Sequence, residues 1–267
     1  MAEEWHPPGI DVTVAHPARM YDYYLGGKDN FAADREAADN VMAVLPEGRD
    51  MALANRAFLG RVVHFLAEAG IDQYLDIGTG IPNWGNTGEV ARQKIPQARV
   101  VYVDNDPIVL THTRALLAGA EGEQTAVIRA DLRDPEAILT APDLTRVLDL
   151  ERPVAVLLVA VLHFIRDSED PYAIVSRLIR ALAPGSYLVI SHGTQDFDPD
   201  RAATAVRFYE QATAPFVLRN KPEIQRFFDD LELVDPGLVQ IPYWRPDQPV
   251  SENTRRIWLY GAVAQKY

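Results

Sequence analysis

Between residues 73 and 191 the chain alternates short runs rich in β-branched and aromatic residues (74–77, 99–103, 126–129, 154–160 and 187–191) with stretches of helical length near 86–94, 108–117 and 171–182. Parallel strands need a long crossover between them, and a helix that covers one face of the sheet supplies it. Right-handed crossovers of this kind are expected to build an α/β, doubly wound, mostly parallel sheet. Beyond the fifth run come helical stretches near 199–213 and 222–228, a strand near 231–234 and a last strand over 256–264. No long helix separates those two late strands, so the last is expected to enter antiparallel and complete a sheet of seven. The segment 243–252, with prolines at 246 and 249, reads as a surface loop joining them.

Residues 1–70 follow a different pattern. A short aromatic helix over 18–25 ends at Gly26-Gly27, a second over 30–44 is stopped by Pro46, and a long amphipathic third spans 49–69. The expected organisation is an N-terminal helical lid or lobe, residues 1–70, and a Rossmann-like core, residues 71–267. A chain of 267 residues is long enough for one large domain or for a domain with an added lobe.

Composition excludes several chemistries. The sequence holds no cysteine, so disulfides, thiolate catalysis, Cys-ligated zinc and iron–sulfur clusters are ruled out. It has no His-Glu-x-x-His or comparable ligand spacing, and no metal is expected. A formal net charge of −12 without a dense Lys/Arg stripe opposes attraction to phosphate backbones, so nucleic acid is not the expected partner. The first ten residues lack a basic stretch followed by an apolar one, and the apolar run 154–165 is too short to cross a bilayer. No membrane association is expected, and the cytoplasm is the expected location.

Candidate chemistry gathers where strands end. Leu75-Asp76-Ile77-Gly78-Thr79-Gly80 closes the first strand, and glycines there let the backbone approach a ligand closely, at the edge where open α/β sheets bind cofactors. The third glycine of the dinucleotide fingerprint is missing, and Pro82 falls where a pyrophosphate would need an open helix N-terminus. A cofactor without phosphates fits this turn better than NAD. Its expected contacts are Asp76, Gly78, Thr79 and Gly80.

One strand–helix unit later, Val100-Val101-Tyr102-Val103 runs into Asp104-Asn105-Asp106-Pro107. A carboxylate at the tip of a second strand can accept both ribose hydroxyls of an adenosine. Asp104, with Asn105 beside it, is the first candidate and Asp106 the second; either could instead cap the following helix, for which Asp106 before Pro107 is well placed. After the third strand, Ala130-Asp131-Leu132-Arg133-Asp134 offers the Asp131 side chain to an adenine amino group and the Leu132 amide to a ring nitrogen, with plain turn chemistry as the competing explanation.

Beyond these motifs, the stretch His16-Pro17-Ala18-Arg19-Met20-Tyr21-Asp22-Tyr23-Tyr24-Leu25-Gly26-Gly27-Lys28-Asp29-Asn30-Phe31-Ala32-Ala33-Asp34-Arg35 resembles the opening of an actinobacterial S-adenosylmethionine-dependent methyltransferase family long known only as a domain of unknown function. Further matches run along the chain, at Asp76 to Gly80, Asn86-Thr87, Tyr102 to Pro107, Ala130 to Arg133, Val159-Ala160-Val161-Leu162-His163-Phe164, Ala183 to Leu188 and Ser191-His192. The chain departs from the family pattern at Gly88, where a histidine commonly follows Asn86-Thr87, and at Trp84-Gly85, a place that usually carries small polar residues or proline.

The resemblance implies a class I methyltransferase fold, with a Rossmann-like sheet of seven strands and an N-terminal helical lid, binding S-adenosylmethionine; it supplies no acceptor. Within the opening stretch, Arg19, Lys28 and the Gly26-Gly27 pair are placed to serve a lid, with a cation near the methionine carboxylate. His163 ends the fourth strand and His192 the fifth, on the rim where class I enzymes place reactive groups. Each could take a proton from the acceptor, or else be a buried, hydrogen-bonded residue framing the cofactor, and His163 is counted among the cofactor contacts as well. Alignment alone can drive methyl transfer, so a base is optional. The expected function is methyl transfer from S-adenosylmethionine to a small-molecule acceptor; the alternative is a non-catalytic module that holds S-adenosylmethionine or S-adenosylhomocysteine as a sensor or partner subunit.

Overall fold

Strands form where the β-branched runs lie: β1 (Gln73–Ile77), β2 (Arg99–Asp104), β3 (Thr125–Arg129), β4 (Ala155–Val159) and β5 (Tyr187–Gly193) pair in parallel, with β1 between β2 and β4. The structure, a computed structural model, describes residues 11–82, 85–117, 124–209, 212–250, 254 and 256–267. Two short strands, β6 (Glu232–Leu233) and β7 (Val239–Gln240), pair antiparallel with β8 (Leu259–Gln265), which runs antiparallel to β5. The order β3-β2-β1-β4-β5-β8-β6 contains the expected seven strands, and β7 pairs with β8 off that path. Strand order reverses between β1 and β4, which opens a crevice beyond their carboxyl ends.

The helices before the sheet are α1 (Pro17–Tyr24), α2 (Ala32–Val44) and α3 (Gly48–Glu68). Between and after the strands lie α4 (Thr87–Lys94), α5 (Pro107–Leu117), α6 (Pro135–Leu139), α7 (Pro142–Val147), α8 (Pro171–Arg180), α9 (Pro199–Tyr209) and α10 (Lys221–Gln225). Proline in the first turn opens several of them, where its missing N–H costs nothing. Asp134 and Asp170 complete such starts on α6 and α8 by accepting from the N–H of Ala137 at 3.0 Å and of Ala173 at 3.2 Å. Sequence periodicity did not disclose α6 and α7, because each spans barely more than one turn.

Alternation along the strands divides the core in two. Leu75, Ile77, Val101, Val156, Leu188 and Ile190 turn to the face covered by α6, α7 and α8. Tyr74, Val100, Leu157, Val189 and Val263 turn to the face beneath α3 and α4. Phe58, Val62 and Leu66 of α3 are fully covered there, and burial of such side chains contributes on the order of 1.5–3 kcal/mol each. Thus α3 is a sheet-covering helix, and the boundary expected at residue 70 runs through one packed core. Of these three N-terminal helices α1 and α2 stand off the sheet, where Met20, Tyr24, Ala38 and Val41 cluster with Tyr209 of α9.

The segment over 243–252 is not simply a surface loop. Trp244 is fully buried edge-on to Phe58 and Phe65, at 5.7 Å from each, and Arg61 donates to the Trp244 and Ile241 carbonyls at 2.9 and 2.7 Å. Residues 251 and 252, at its far end, and residues 210–211 of the helix expected over 199–213 lie outside the described residues. Among the described residues no helix is long and apolar enough to cross a membrane.

Candidate functional site

The turn after β1 is built on two left-handed glycines with different neighbours. Gly78 (φ +73°) donates its N–H to the Val103 carbonyl at 2.8 Å, and a Cβ there would lie 2.5 Å from Cγ2 of Val161. Gly80 (φ +66°) donates to Oδ2 of Asp104 at 3.0 Å, and a Cβ there would meet no protein atom within 4 Å. One glycine therefore makes room for protein and the other faces open space. Behind the turn, buried Asp76 accepts from the Thr87 hydroxyl at 2.6 Å and the Thr79 hydroxyl at 3.4 Å. Burial raises its pKa, against the opposing pull of Thr87, the Arg56 charge and Thr79.

At the tip of β2 the two candidate aspartates part ways. Asp104 accepts from the N–H groups of Gly80 and, at 2.9 Å, Asp106. Burial, aided by the Asp106 charge, pushes its pKa up to about 6 although backbone donors oppose the shift. Asp106 caps α5 through the Ile108 N–H at 2.8 Å, and its other oxygen lies 3.1 Å from Nδ1 of His16. It is a helix cap and an anchor for the N-terminal helices. Asp131, after β3, accepts from the Asn105 side-chain amide at 3.1 Å and from the N–H of Arg133 at 2.9 Å. Burial works to raise its pKa, but those bonds and the Arg133 charge win and hold it below the usual value. Arg133 reaches on to Glu169 at 2.6 Å and to the Phe164 carbonyl at 2.9 Å, joining the tips of β3 and β4.

The opening stretch divides in the same way. Arg19 is buried on the cavity wall, with Nη2 on the Val14 carbonyl at 2.9 Å and Nε 3.4 Å from Asp34. Gly26, Gly27 and Lys28, in contrast, are not on that wall. A Cβ on Gly27 would fall 2.0 Å from Oδ1 of Asp22, whose carboxylate accepts from the Asp29 N–H and the Asn30 side chain at 2.9 and 2.8 Å. The pair lets the chain wrap around Asp22, and Lys28 is left exposed on the outside of that wrap. Tyr21 and Asn55 tie these helices to the sheet: Asn55 donates to the Tyr21 hydroxyl at 3.0 Å and accepts from Ser191 of β5 at 2.6 Å.

Of the two rim histidines, only His163 lines the cavity. Its Nδ1 accepts from the Gly193 N–H at 3.2 Å. Burial, with the neighbouring His192 and Arg219, holds its pKa well below the usual value, so the ring is neutral and carries its proton on Nε2. His192 is fully buried, with Nδ1 on the Gly193 carbonyl at 2.7 Å and Nε2 taking a bond from Nη1 of Arg219 at 2.9 Å. With both nitrogens engaged and burial pushing its pKa down to about 3, it has no lone pair for an incoming proton. The expectation of a base at this position is corrected accordingly.

Two arginines here, Arg219 and Arg56, lay in no motif, and Arg133 lay in one that gave it no role. Arg219 is 2% exposed and donates to the Leu162 carbonyl at 3.1 Å, the Ile165 carbonyl at 2.9 Å and Asp167 at 2.7 Å, besides His192. Arg56, one position beyond Asn55 on α3, and Arg133 line the cavity. A polar pair on the buried stripe of an amphipathic helix, beside Phe58 and Leu59, is the trace that could have marked Asn55 and Arg56.

These groups enclose one cavity of about 530 Å³. Its floor is the strand tips with Asp76, Asp104 and Asp131; its roof is α1 and α3; one wall is aromatic, with Tyr24, Phe164, Tyr209 and Phe216. Among the described residues no group of His, Asp or Glu could hold a metal ion. Gly88 packs beneath the floor, where a Cβ would lie 2.6 Å from the Tyr102 hydroxyl, so Tyr102 occupies the space that a histidine at this position would need. Trp84, the other departure, lies outside the described residues.

A family model described as S-adenosyl methyltransferase matches residues 3–267. No curated protein matches the chain. Among solved structures it is similar to a DUF574 family protein from Streptomyces avermitilis MA-4680, with 46% identity over 96% of this chain and 99% of that one and a TM-score of 0.92. It is also similar to a protein from Thermobifida fusca YX assigned provisionally to the methyltransferases, with 44% identity over 98% of both chains and a TM-score of 0.91. The N-methyltransferase NodS from Bradyrhizobium japonicum WM9, solved with S-adenosyl-L-homocysteine, shares 15% identity over 93% of this chain and 98% of that one at a TM-score of 0.50, a likeness of fold alone.

Proposed function

Because the chain belongs to the S-adenosyl methyltransferase family, we propose that it methylates a small molecule held between the strand tips and the N-terminal helices. Its cofactor is S-adenosylmethionine, as the family and the fold have it. The observation that carries the acceptor class is the cavity of about 530 Å³, which joins an acid-lined floor to an aromatic wall and is of the size that takes small molecules.

The donor set suits this cofactor. Three carboxylates on the floor would repel a pyrophosphate but favour a sulfonium cation. In our assignment Asp104 takes the ribose hydroxyls, Asp131 and the Leu132 amide take the adenine edge, and the backbone from Gly78 to Gly80 lies against the rest of the cofactor. S-adenosylmethionine, when bound, supplies a methyl group on a positively charged sulfur, an electrophile that needs alignment more than activation. Arg19 and the buried tie from Tyr21 through Asn55 to Ser191 hold the roof in place above that floor.

Two results test this assignment. Incubation with methyl-labelled S-adenosylmethionine and a cell extract should move label into the small-molecule filtrate; label found only in protein or nucleic acid would overturn the acceptor class, and tight cofactor binding without turnover on any fraction would make the chain a binding module. Gly80→Val should leave the circular dichroism of the folded chain intact and abolish cofactor binding, since its side chain would enter the open space beside Asp104. Its left-handed backbone adds only about 1–2 kcal/mol of strain. If that variant binds normally, the turn is not the cradle.

A further inference from the structure

One wall of the cavity is built of rings. Tyr209 and Phe216 stack at 4.6 Å with planes 22° apart, and Phe164 leans on both, at 6.2 and 5.7 Å. His163 meets Phe164 and Phe216 edge-on at 4.5 and 4.8 Å. The hydroxyls of Tyr24 and Tyr209 lie 3.5 Å apart in the same wall. Ring faces of this kind favour a flat π-surface over a saturated one of equal size, through offset and edge-on contacts.

Amid these rings stands one polar group of fixed sense. Because the Gly193 N–H occupies Nδ1 of His163, the neutral ring can offer only Nε2–H, which makes no hydrogen bond with the described residues while the ring lines the cavity. A donor here selects a ligand atom with a lone pair to spare. Oxygen keeps one pair for the N–H and another for attack, whereas an amine nitrogen has a single pair and cannot serve both.

Resting on the methyl-transfer reading above, we infer that the aromatic wall takes a planar aromatic acceptor bearing a hydroxyl, whose oxygen receives the Nε2–H of His163, so that His163 selects and orients the acceptor and is not its base. In the transfer the acceptor oxygen forms the new O–C bond and the C–S bond of the sulfonium breaks, its electron pair passing to sulfur to leave a neutral thioether. The hydroxyl proton leaves to solvent, since Nε2 is already protonated.

The full chain saturated with S-adenosylhomocysteine should bind 2-naphthol, measured by calorimetry, at least about tenfold more tightly than decahydro-2-naphthol or naphthalene, as expected for a stacked ring with a matched hydrogen bond; supplied with S-adenosylmethionine instead, it should methylate 2-naphthol at least about tenfold faster than 2-naphthylamine. His163→Phe should lose the preference for 2-naphthol over naphthalene. His163→Gln, which keeps an N–H near the position of Nε2, should retain most of it. Equal binding of 2-naphthol and its saturated analogue by the parent chain overturns the aromatic class. Methylation of the amine as fast as of the naphthol overturns the oxygen assignment, and a His163→Phe variant with unchanged preference removes His163 from recognition. The parental comparisons stand even if that variant fails to fold. Failure of the methyl-transfer reading itself would be seen separately, as a parent chain that does not bind S-adenosylhomocysteine.

Discussion

Arg219→Met is expected to lower the stability of the folded chain by about 3–5 kcal/mol, the usual result of removing one partner from a buried charged network. The guanidinium holds the turn that carries His163 by the Leu162 and Ile165 carbonyls and ties it to β5 through His192. Asp167, 74% exposed in its side chain, contributes little to that total because solvent screens it. Methionine fills much of the volume but leaves buried acceptors without donors, and Arg219→Lys, a single point donor, should recover only part of the loss. Urea denaturation followed by fluorescence measures the difference. A loss below about 1 kcal/mol, the worth of one ordinary hydrogen bond, would show that the network is dispensable.

Asp104→Ala should weaken cofactor binding by about ten- to a hundredfold, from the loss of about 1.5–3 kcal/mol for a hydrogen bond to a charged group. The same carboxylate makes binding depend on pH. Its pKa of about 6 in the folded chain stands above the ordinary aspartate value of 3.8, so ionisation costs stability as pH rises from about 4 to about 6, and the cost is constant above that window. Ribose hydroxyls bond to the ionised form and draw the pKa back down. Cofactor affinity is therefore expected to fall as pH drops below about 6, to level off above 7, and to be accompanied by proton release near pH 5.5 that Asp104→Ala abolishes. Calorimetry in buffers of different ionisation enthalpy reads both quantities. An alanine variant that binds as tightly as the parent would remove Asp104 from the ribose.

The sheet could be read in the sequence because its strands are short, apolar and separated by helices, a pattern with few other solutions. The acids at the strand tips were readable for the same reason, since strand ends place them. What escaped depends on long-range packing. Arg219 sits in an irregular stretch whose neighbours say nothing of four partners gathered from two other segments. Trp244 lies among prolines that mark a loop, yet its ring is drawn into the core under α3. His192 illustrates a finer limit: the strand end was found, but one residue of parity decides the face. Ser191 turns toward Asn55 and the cavity side, while His192 turns toward Phe227 and away from it. In the opening stretch, a conspicuous Gly26-Gly27-Lys28 serves the wrap around Asp22, so a run of residues typical of the family marked architecture as well as chemistry.

That α3 covers one face of the sheet has a bearing on how the chain comes into being. The helix is made early in synthesis, but its partners arrive much later: Tyr74 soon after, Leu157 and Val189 only past mid-chain, and Trp244 and Val263 near the end. A surface of Phe58, Val62 and Leu66 must therefore wait while almost two hundred further residues are joined. Contacts so distant along the chain form slowly, and an apolar helix left waiting is open to wrong partners. The growing polypeptide is thus most exposed to aggregation before β8 is complete, and a chaperone that shelters the first third of the chain would act at the stage where help matters most.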